Sequence, residues 1–139
     1  ASTETGEASG GSSASETIRI AIADDEQMMR DGLADALGRY EGLELVGLAA
    51  DGKEAIKVAR DSGPDVVLMD IVMRKANGVK ATAAIKHLDK DARVIMCTSV
   101  GQRKKMELAA RAGADGYITK PFDDDEIARA IDSILTAEP

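Results

Sequence analysis

The sequence predicts an α/β fold in which helices cover both faces of a parallel β-sheet. From Thr17 onward, short β-rich apolar runs alternate with longer stretches of helical periodicity, and five such units follow one another. Turn-forming residues separate the units, as in Gly63-Pro64. The chain has 139 residues, 44% of them apolar, so its length suits one globular domain. A single doubly wound domain is therefore the expected architecture.

The strands are predicted from the apolar runs. The candidates are Ile18–Ala23, Leu43–Ala49, Val66–Met69, Val94–Thr98 and Gly116–Thr119. The third and fourth runs lack polar alternation, which is typical of central strands covered on both faces. Right-handed crossovers would bring the carboxyl ends of all these strands to one edge of the sheet. We therefore expect the chemistry at that edge.

The helices are predicted from apolar positions that recur every three or four residues. The clearest stripes are Met29, Leu33, Ala36, Leu37 and Tyr40 in the first helix, Ala81, Ala84, Ile85 and Leu88 in the third, and Ile127, Ala130, Ile131, Ile134 and Leu135 in the last. The second and fourth helices have weaker stripes. Each stripe predicts one helix face packed on the sheet.

Turn and capping residues set the expected ends of these helices. Gly63 and Gly113 are predicted to end the second and fourth helices. Asp123 followed by Glu126 resembles a capping box that opens the last helix, and Ser99 with Gln102 repeats that pattern.

Composition excludes several classes of function. Eighteen Lys and Arg against twenty-five Asp and Glu give a formal charge of −7, so the mean field repels nucleic acid and anionic membranes. The single Cys97 cannot form an internal disulfide, and no apolar run approaches the roughly 20 residues of a membrane span. The N-terminus lacks the features of a secretory signal, so a cytoplasmic protein is expected.

The first part of the chain differs from the rest in composition. Residues 1–16 contain only Ala, Ser, Thr, Gly and Glu, with no large apolar side chain to offset the entropy of ordering. We expect a flexible acidic tail at 1–16 and a folded domain at 17–139. A functional tail and an unselected leader both remain open.

Acidic residues follow two of the predicted strands. Asp24, Asp25 and Glu26 come directly after the first strand, and Asp70 follows the third. If those strands are neighbours, the carboxylates converge on a site suited to Mg²⁺, which prefers oxygen ligands. The alternative is that Asp24 caps the first helix while Asp25 and Glu26 complement its dipole.

Two further polar residues belong to the same edge. Thr98 ends the fourth strand and Lys120 follows the fifth, and both side chains are suited to holding phosphoryl oxygens. Asp70 after an apolar strand is an unusual choice for packing alone. Polar residues at the ends of four strands together favour function over structure.

These motifs resemble those of the response-regulator receiver family over about residues 17–135. Asp24-Asp25 resembles the acidic pair of the family, and Met69-Asp70 with Asn77-Gly78 resembles its phosphoacceptor segment. Thr98-Ser99 and Lys120-Pro121-Phe122 resemble the switch hydroxyl and the lysine loop. Gly113 to Pro121 is most similar to small chemotaxis-type receivers.

The resemblance implies a flavodoxin-like strand order, 2-1-3-4-5, and a reaction. Asp70 would accept a phosphoryl group from a sensor kinase or a phosphotransfer protein. Asp25, Asp70 and the carbonyl of Val72 would ligate Mg²⁺, with Asp24 acting through bound water. Lys120 and Thr98 would each hold a phosphoryl oxygen, and the Lys120-Pro121 peptide bond would be cis.

The resemblance also implies how the signal leaves the site. As Thr98 moves toward the phosphoryl group, Tyr117 would turn inward and remodel the face formed by the fourth helix, fifth strand and fifth helix. A downstream protein effector would read that face. Its expected contacts are Lys104, Lys105, Leu108, Arg111 and Tyr117, although a solvated helix face is an alternative for the two lysines.

Three positions qualify this expectation. Arg74 stands where the family usually has proline, which implies a freer loop after Asp70. Val72 and Val100 lie two residues beyond Asp70 and Thr98, where the resemblance implies that they flank the path of the hydrolytic water. Apolar side chains cannot orient that water, so we expect slow dephosphorylation.

Other classes of function fit less well. A phosphatase of the haloacid-dehalogenase type needs an acid two residues after the nucleophile, where this chain has Val72. A flavin or nucleotide binder needs a phosphate loop where this chain has Asp24-Asp25-Glu26. A receiver half of a longer DNA-binding regulator remains an alternative, although no helix-turn-helix or basic segment follows the last predicted helix.

Overall fold

The computed structural model describes residues 17–73 and 77–136. The predicted acidic tail at 1–16 and the departure at Arg74 lie outside the described residues. In chain order the elements are β1 (Ile18–Ala23), α1 (Gln27–Leu37), β2 (Leu43–Ala49), α2 (Gly52–Ser62), β3 (Val66–Asp70), α3 (Gly78–Leu88), β4 (Arg93–Thr98), α4 (Arg103–Ala112), β5 (Gly116–Thr119) and α5 (Asp124–Thr136).

The strands form one parallel sheet in the order β2-β1-β3-β4-β5, as expected. The predicted strand bounds hold to within one residue, since β3 extends to Asp70 and β4 begins at Arg93. In the register, Ala23 pairs with Met69 and Asp70 with Cys97. The carboxyl ends of β1 and β3 are therefore adjacent.

The core lies on both faces of the sheet. Successive residues of β3 alternate between the faces, so Val67 and Met69 join one cluster while Val66 and Leu68 join the other. Buried residues of α2, α3 and α4 pack in the first cluster, and those of α1 and α5 pack in the second. β3 is fully buried and β4 nearly so, which confirms the interpretation of these strands as central.

The prediction that all residues of the helical stripes pack on the sheet was wrong for Leu88 and Tyr40. Leu88 is 50% exposed because it is the last residue of α3, beyond the part of the helix that packs on the sheet. Tyr40 lies in a turn after α1, which ends at Leu37, and its hydroxyl donates to Asp125 at 2.7 Å. That contact links the turn to α5 at the surface, so Tyr40 is not a core residue.

The predicted turn and capping residues are confirmed at the ends of α2 and α4 and at the start of α5, but not at Ser99. Asp123 and Glu126 each accept the backbone N–H of the other, at 2.8 and 3.0 Å, and so form the complete capping box of α5. Gly63 and Gly113 end α2 and α4 in the left-handed region, with φ values of 59° and 113°. The box at Ser99 is incomplete, because α4 begins four residues later, at Arg103.

Candidate functional site

Three carboxylates meet at the carboxyl edge of the sheet. Asp24 and Asp25 follow β1, Asp70 ends β3, and one oxygen of each lies within 4.8 Å of the others. Asp24 is 1% exposed and Asp70 is 9% exposed. The predicted convergence is confirmed, and its cause is the direct pairing of β1 with β3.

Asp24 is held in place by its backbone and by one of its oxygens. Its Oδ1 accepts the backbone N–H of Glu26 at 2.9 Å, and its carbonyl oxygen accepts from Arg30 at 2.6 Å. The interpretation of Asp24 as the cap of the first helix was wrong, because the cap residue is Glu26 and it has no side-chain capping bond. The turn between β1 and α1 therefore leaves Oδ2 directed toward Lys120.

Lys120 joins β5 to the acidic cluster. Its Nζ lies 3.1 Å from Asp24 Oδ2 and 3.5 Å from Asp70 Oδ1, and its peptide bond to Pro121 is cis, as expected. Burial alone would lower the pKa of Lys120, but the attraction of Asp70 and Asp24 outweighs it and raises the pKa above its ordinary value. The ammonium is therefore firmly charged.

The positive charge of Lys120 does not fully compensate the negative charges of Asp24, Asp25 and Asp70. Burial, followed by repulsion from Asp24, raises the pKa of Asp70 from 3.8 to about 6. The charge of Lys120 and the Val72 N–H, which donates to Asp70 Oδ1 at 3.4 Å, lower that pKa only in part. At neutral pH the ionised carboxylate thus costs free energy that a cation would recover. Three carboxylate oxygens with an excess of negative charge form a donor set that fits Mg²⁺.

Thr98 lies at the end of β4 and is 2% exposed. Its hydroxyl is 3.0 Å from Gln102 Oε1 and 3.3 Å from the Ser99 carbonyl oxygen. The hydroxyl is therefore hydrogen-bonded within the loop that leads to α4. The Ser99 and Gln102 spacing was visible in the sequence, but it was interpreted as a capping box and the link from Gln102 to Thr98 was missed.

The remaining predicted site residues lie at the surface. Val72 is 41% exposed and Val100 is 89% exposed. Tyr117 on β5 is 60% exposed. A cavity of about 430 Å³ separates its strand from α4 and is lined by Met106, Ala110 and Tyr117, among others.

The basic and apolar residues expected to contact an effector are also exposed. They occupy α4 and form what we call the α4 surface, namely Lys104, Lys105, Leu108 and Arg111. Within residues 17–73 and 77–136, no helix combines the length and apolar character that a membrane span requires.

A parallel sheet of this order, with carboxylates, threonine and lysine at its carboxyl edge, defines the receiver class of signalling domains. The model of the response regulator receiver domain matches residues 20–132. The chain therefore belongs to the response regulator receiver domain family of two-component signalling. Proteins of this family are signalling switches rather than classical enzymes, and they interact with histidine kinases and downstream effectors.

Within the family the chain is CheY-like. It is 44% identical to the chemotaxis protein CheY of Halobacterium salinarum over 86% of this chain and 98% of that protein. Its identity to CheY of Bacillus subtilis is 39% over 84% and 97% of the two chains. Among solved structures, the response regulator domain of Thermotoga maritima CheB matches with a TM-score of 0.80 and 32% identity, over 88% and 99% of the chains. These matches do not favour a phosphatase or a DNA-binding regulator.

Proposed function

We propose that this protein is a phosphorylation switch in which Asp70 accepts a phosphoryl group in a Mg²⁺-dependent reaction. The observation that supports this most strongly is the position of Asp70, whose carboxylate lies within 4.8 Å of two other carboxylates and 3.5 Å from Lys120 Nζ. Packing does not explain three acids at the ends of two neighbouring strands with a lysine that follows a third strand beside them.

In this reaction Asp70 is the nucleophile, and its neighbours would hold the metal. An oxygen of Asp70 forms the new bond to phosphorus while the bond from phosphorus to the donor histidine breaks, and its electron pair returns to the imidazole. Asp25, Asp70 and the Val72 carbonyl would hold Mg²⁺, with Asp24 acting through water. When bound, the metal supplies charge neutralisation at the transferring group.

Lys120 and Thr98 respond to the new charge. Lys120 already lies between Asp24 and Asp70, so its ammonium needs only a small movement to pair with a phosphoryl oxygen. Thr98 would donate its hydroxyl to a second phosphoryl oxygen. That change of partner is the event that we assign as the signal.

The output is protein binding at the face formed by α4, β5 and α5. Tyr117 is exposed beside a cavity of about 430 Å³, so the structure has space for it to turn inward when Thr98 moves. Its turning would change the contour of the α4 surface, where Lys105, Leu108 and Arg111 would contact the effector. The donor would be a sensor histidine kinase or a phosphotransfer protein.

The test is labelling with acetyl phosphate, read by intact mass with and without Mg²⁺. The parent protein should gain one phosphoryl group only with Mg²⁺, and Asp70→Asn should gain none. Asp31→Asn, which changes an exposed carboxylate on α1, is the matched control and should label normally. A stable adduct of normal amount on Asp70→Asn would contradict the proposal.

A further inference from the structure

The hydroxyl of Thr98 has a specific partner in the side chain of Gln102. Gln102 Oε1 lies 3.0 Å from Thr98 Oγ1, and the backbone N–H of Ser99 donates to the same oxygen at 3.1 Å. A backbone N–H can only donate, so the amide atom that faces both groups is the oxygen. That oxygen has no proton, and Thr98 must therefore be the donor in its own bond.

A threonine hydroxyl has only one proton to donate. The alternative acceptor, the Ser99 carbonyl oxygen, is further away at 3.3 Å. To donate to a phosphoryl oxygen on Asp70, Thr98 must release Gln102. Gln102 therefore competes with the phosphoryl group for the same proton.

Gln102 also belongs to the start of α4. Its carbonyl oxygen accepts the N–H of Met106 at 3.0 Å and so begins the helix, while its side chain reaches back to the end of β4. The next residue, Arg103, lines the same cavity as Tyr117. The hydrogen bond between Thr98 and Gln102 thus connects the end of β4 to the first turn of α4.

We propose that Gln102 is a positioning residue that restrains the Thr98 hydroxyl in the unphosphorylated protein and releases the first turn of α4 when Thr98 changes partner. This inference rests on the proposed phosphorylation of Asp70. The side chain of Gln102 is hydrogen-bonded to Thr98 and to the backbone of Ser99, so we expect it to act through Thr98.

If Gln102 restrains the Thr98 hydroxyl, removing its side-chain oxygen should favour the conformation in which Thr98 faces the phosphoryl group. One neutral hydrogen bond has a modest net effect on a conformational equilibrium, equivalent to a population ratio of about three- to tenfold. Gln102→Met keeps the length of the side chain and removes the acceptor. It should increase the affinity for a phosphoryl analogue by that factor.

The experiment is a calorimetric titration of the full chain with beryllofluoride in the presence of Mg²⁺. Gln102→Met should bind about three- to tenfold more tightly than the parent. Gln27→Met makes the same change at an exposed position at the start of α1, and it should bind like the parent. If Gln102→Met does not fold by circular dichroism, Gln102→Ala removes the same acceptor and takes its place.

A mutant cycle separates the proposed role from a general effect on the loop. In a Thr98→Val background, which lacks the competing hydroxyl, the substitution at Gln102 should leave the affinity unchanged. An equal gain in that background, or no gain in the parent background, would overturn the role of Gln102. If the parent itself binds no beryllofluoride and accepts no phosphoryl group, the proposed function fails and this inference fails with it.

Discussion

Replacing Asp70 with asparagine should stabilise the metal-free protein at neutral to alkaline pH, although it removes the proposed phosphoacceptor. The substitution keeps the size of the side chain and removes a charge that the fold holds at a cost. That cost is visible in the pKa of Asp70, which burial and the neighbouring Asp24 raise from 3.8 to about 6. Lys120 retains Asp24 as a partner, 3.1 Å away.

The sign follows from proton linkage. Asp70 binds its proton more tightly in the folded than in the unfolded chain, so its ionisation lowers stability as the pH rises from about 4 to above 6. The full shift corresponds to about 3 kcal/mol. Solvent at the open edge of the sheet screens part of it, and we expect Asp70→Asn to raise the free energy of unfolding by about 1–2 kcal/mol at pH 8.

The assay is urea unfolding in the presence of a metal chelator. Circular dichroism monitors the unfolding, because the chain has no tryptophan whose fluorescence could report it. The gain should be present at pH 8 and shrink toward zero near pH 4. Asp31→Asn, at an exposed position, is the control and should change stability little at either pH. Equal or lower stability of Asp70→Asn at pH 8, or a gain of the same size at pH 4, would refute the account of the site as a repulsive cluster.

Magnesium provides the complementary measurement. A ligand that binds only the folded state stabilises it according to its concentration and affinity. Mg²⁺ should therefore stabilise the parent more than Asp70→Asn, which lacks one of the proposed carboxylate ligands, and reduce or reverse the difference between them. Equal stabilisation of both proteins would show that Asp70 does not contribute to metal binding.

Three further predictions concern other parts of the domain. Val72→Asn combined with Val100→Glu should shorten the lifetime of the phosphorylated protein about tenfold, because polar groups would orient the hydrolytic water, and a decay curve no faster than that of the parent would refute this. Gly78→Ala should cost about 1–3 kcal/mol in urea unfolding, because its Cβ would lie 2.2 Å from the backbone oxygen of Asp70, and unchanged stability would show that the loop adjusts freely. Asp123→Ala should cost about 1 kcal/mol by loss of a cap of α5, whereas Asp123→Asn, which keeps an acceptor, should cost less.

The sequence by itself determined the elements of this fold to within a few residues. Apolar runs without polar alternation identified β3 and β4 as buried strands because each side of a central strand faces a helix layer. The errors were at the ends of helices, at Leu88 and Tyr40, where the apolar stripe continues past the last residue that packs on the sheet. The recurrence of apolar residues identifies which face of a helix is buried, but it does not show where the helix stops packing on the sheet.

The sequence also predicted that Asp24, Asp25, Asp70 and Lys120 lie together, because polar side chains at the ends of parallel strands share one edge. Their mutual distances were decided only by the tertiary structure. The strand order and register place Asp70 beside Asp24, and the turn after β5 places Lys120 Nζ within 3.5 Å of both. The raised pKa of Asp70 has the same origin, since burial and repulsion are collective properties of the packed chain. The bond from Thr98 to Gln102 depends on how the loop bends between β4 and α4, and the three-residue spacing of Ser99 and Gln102 had indicated a helix cap instead.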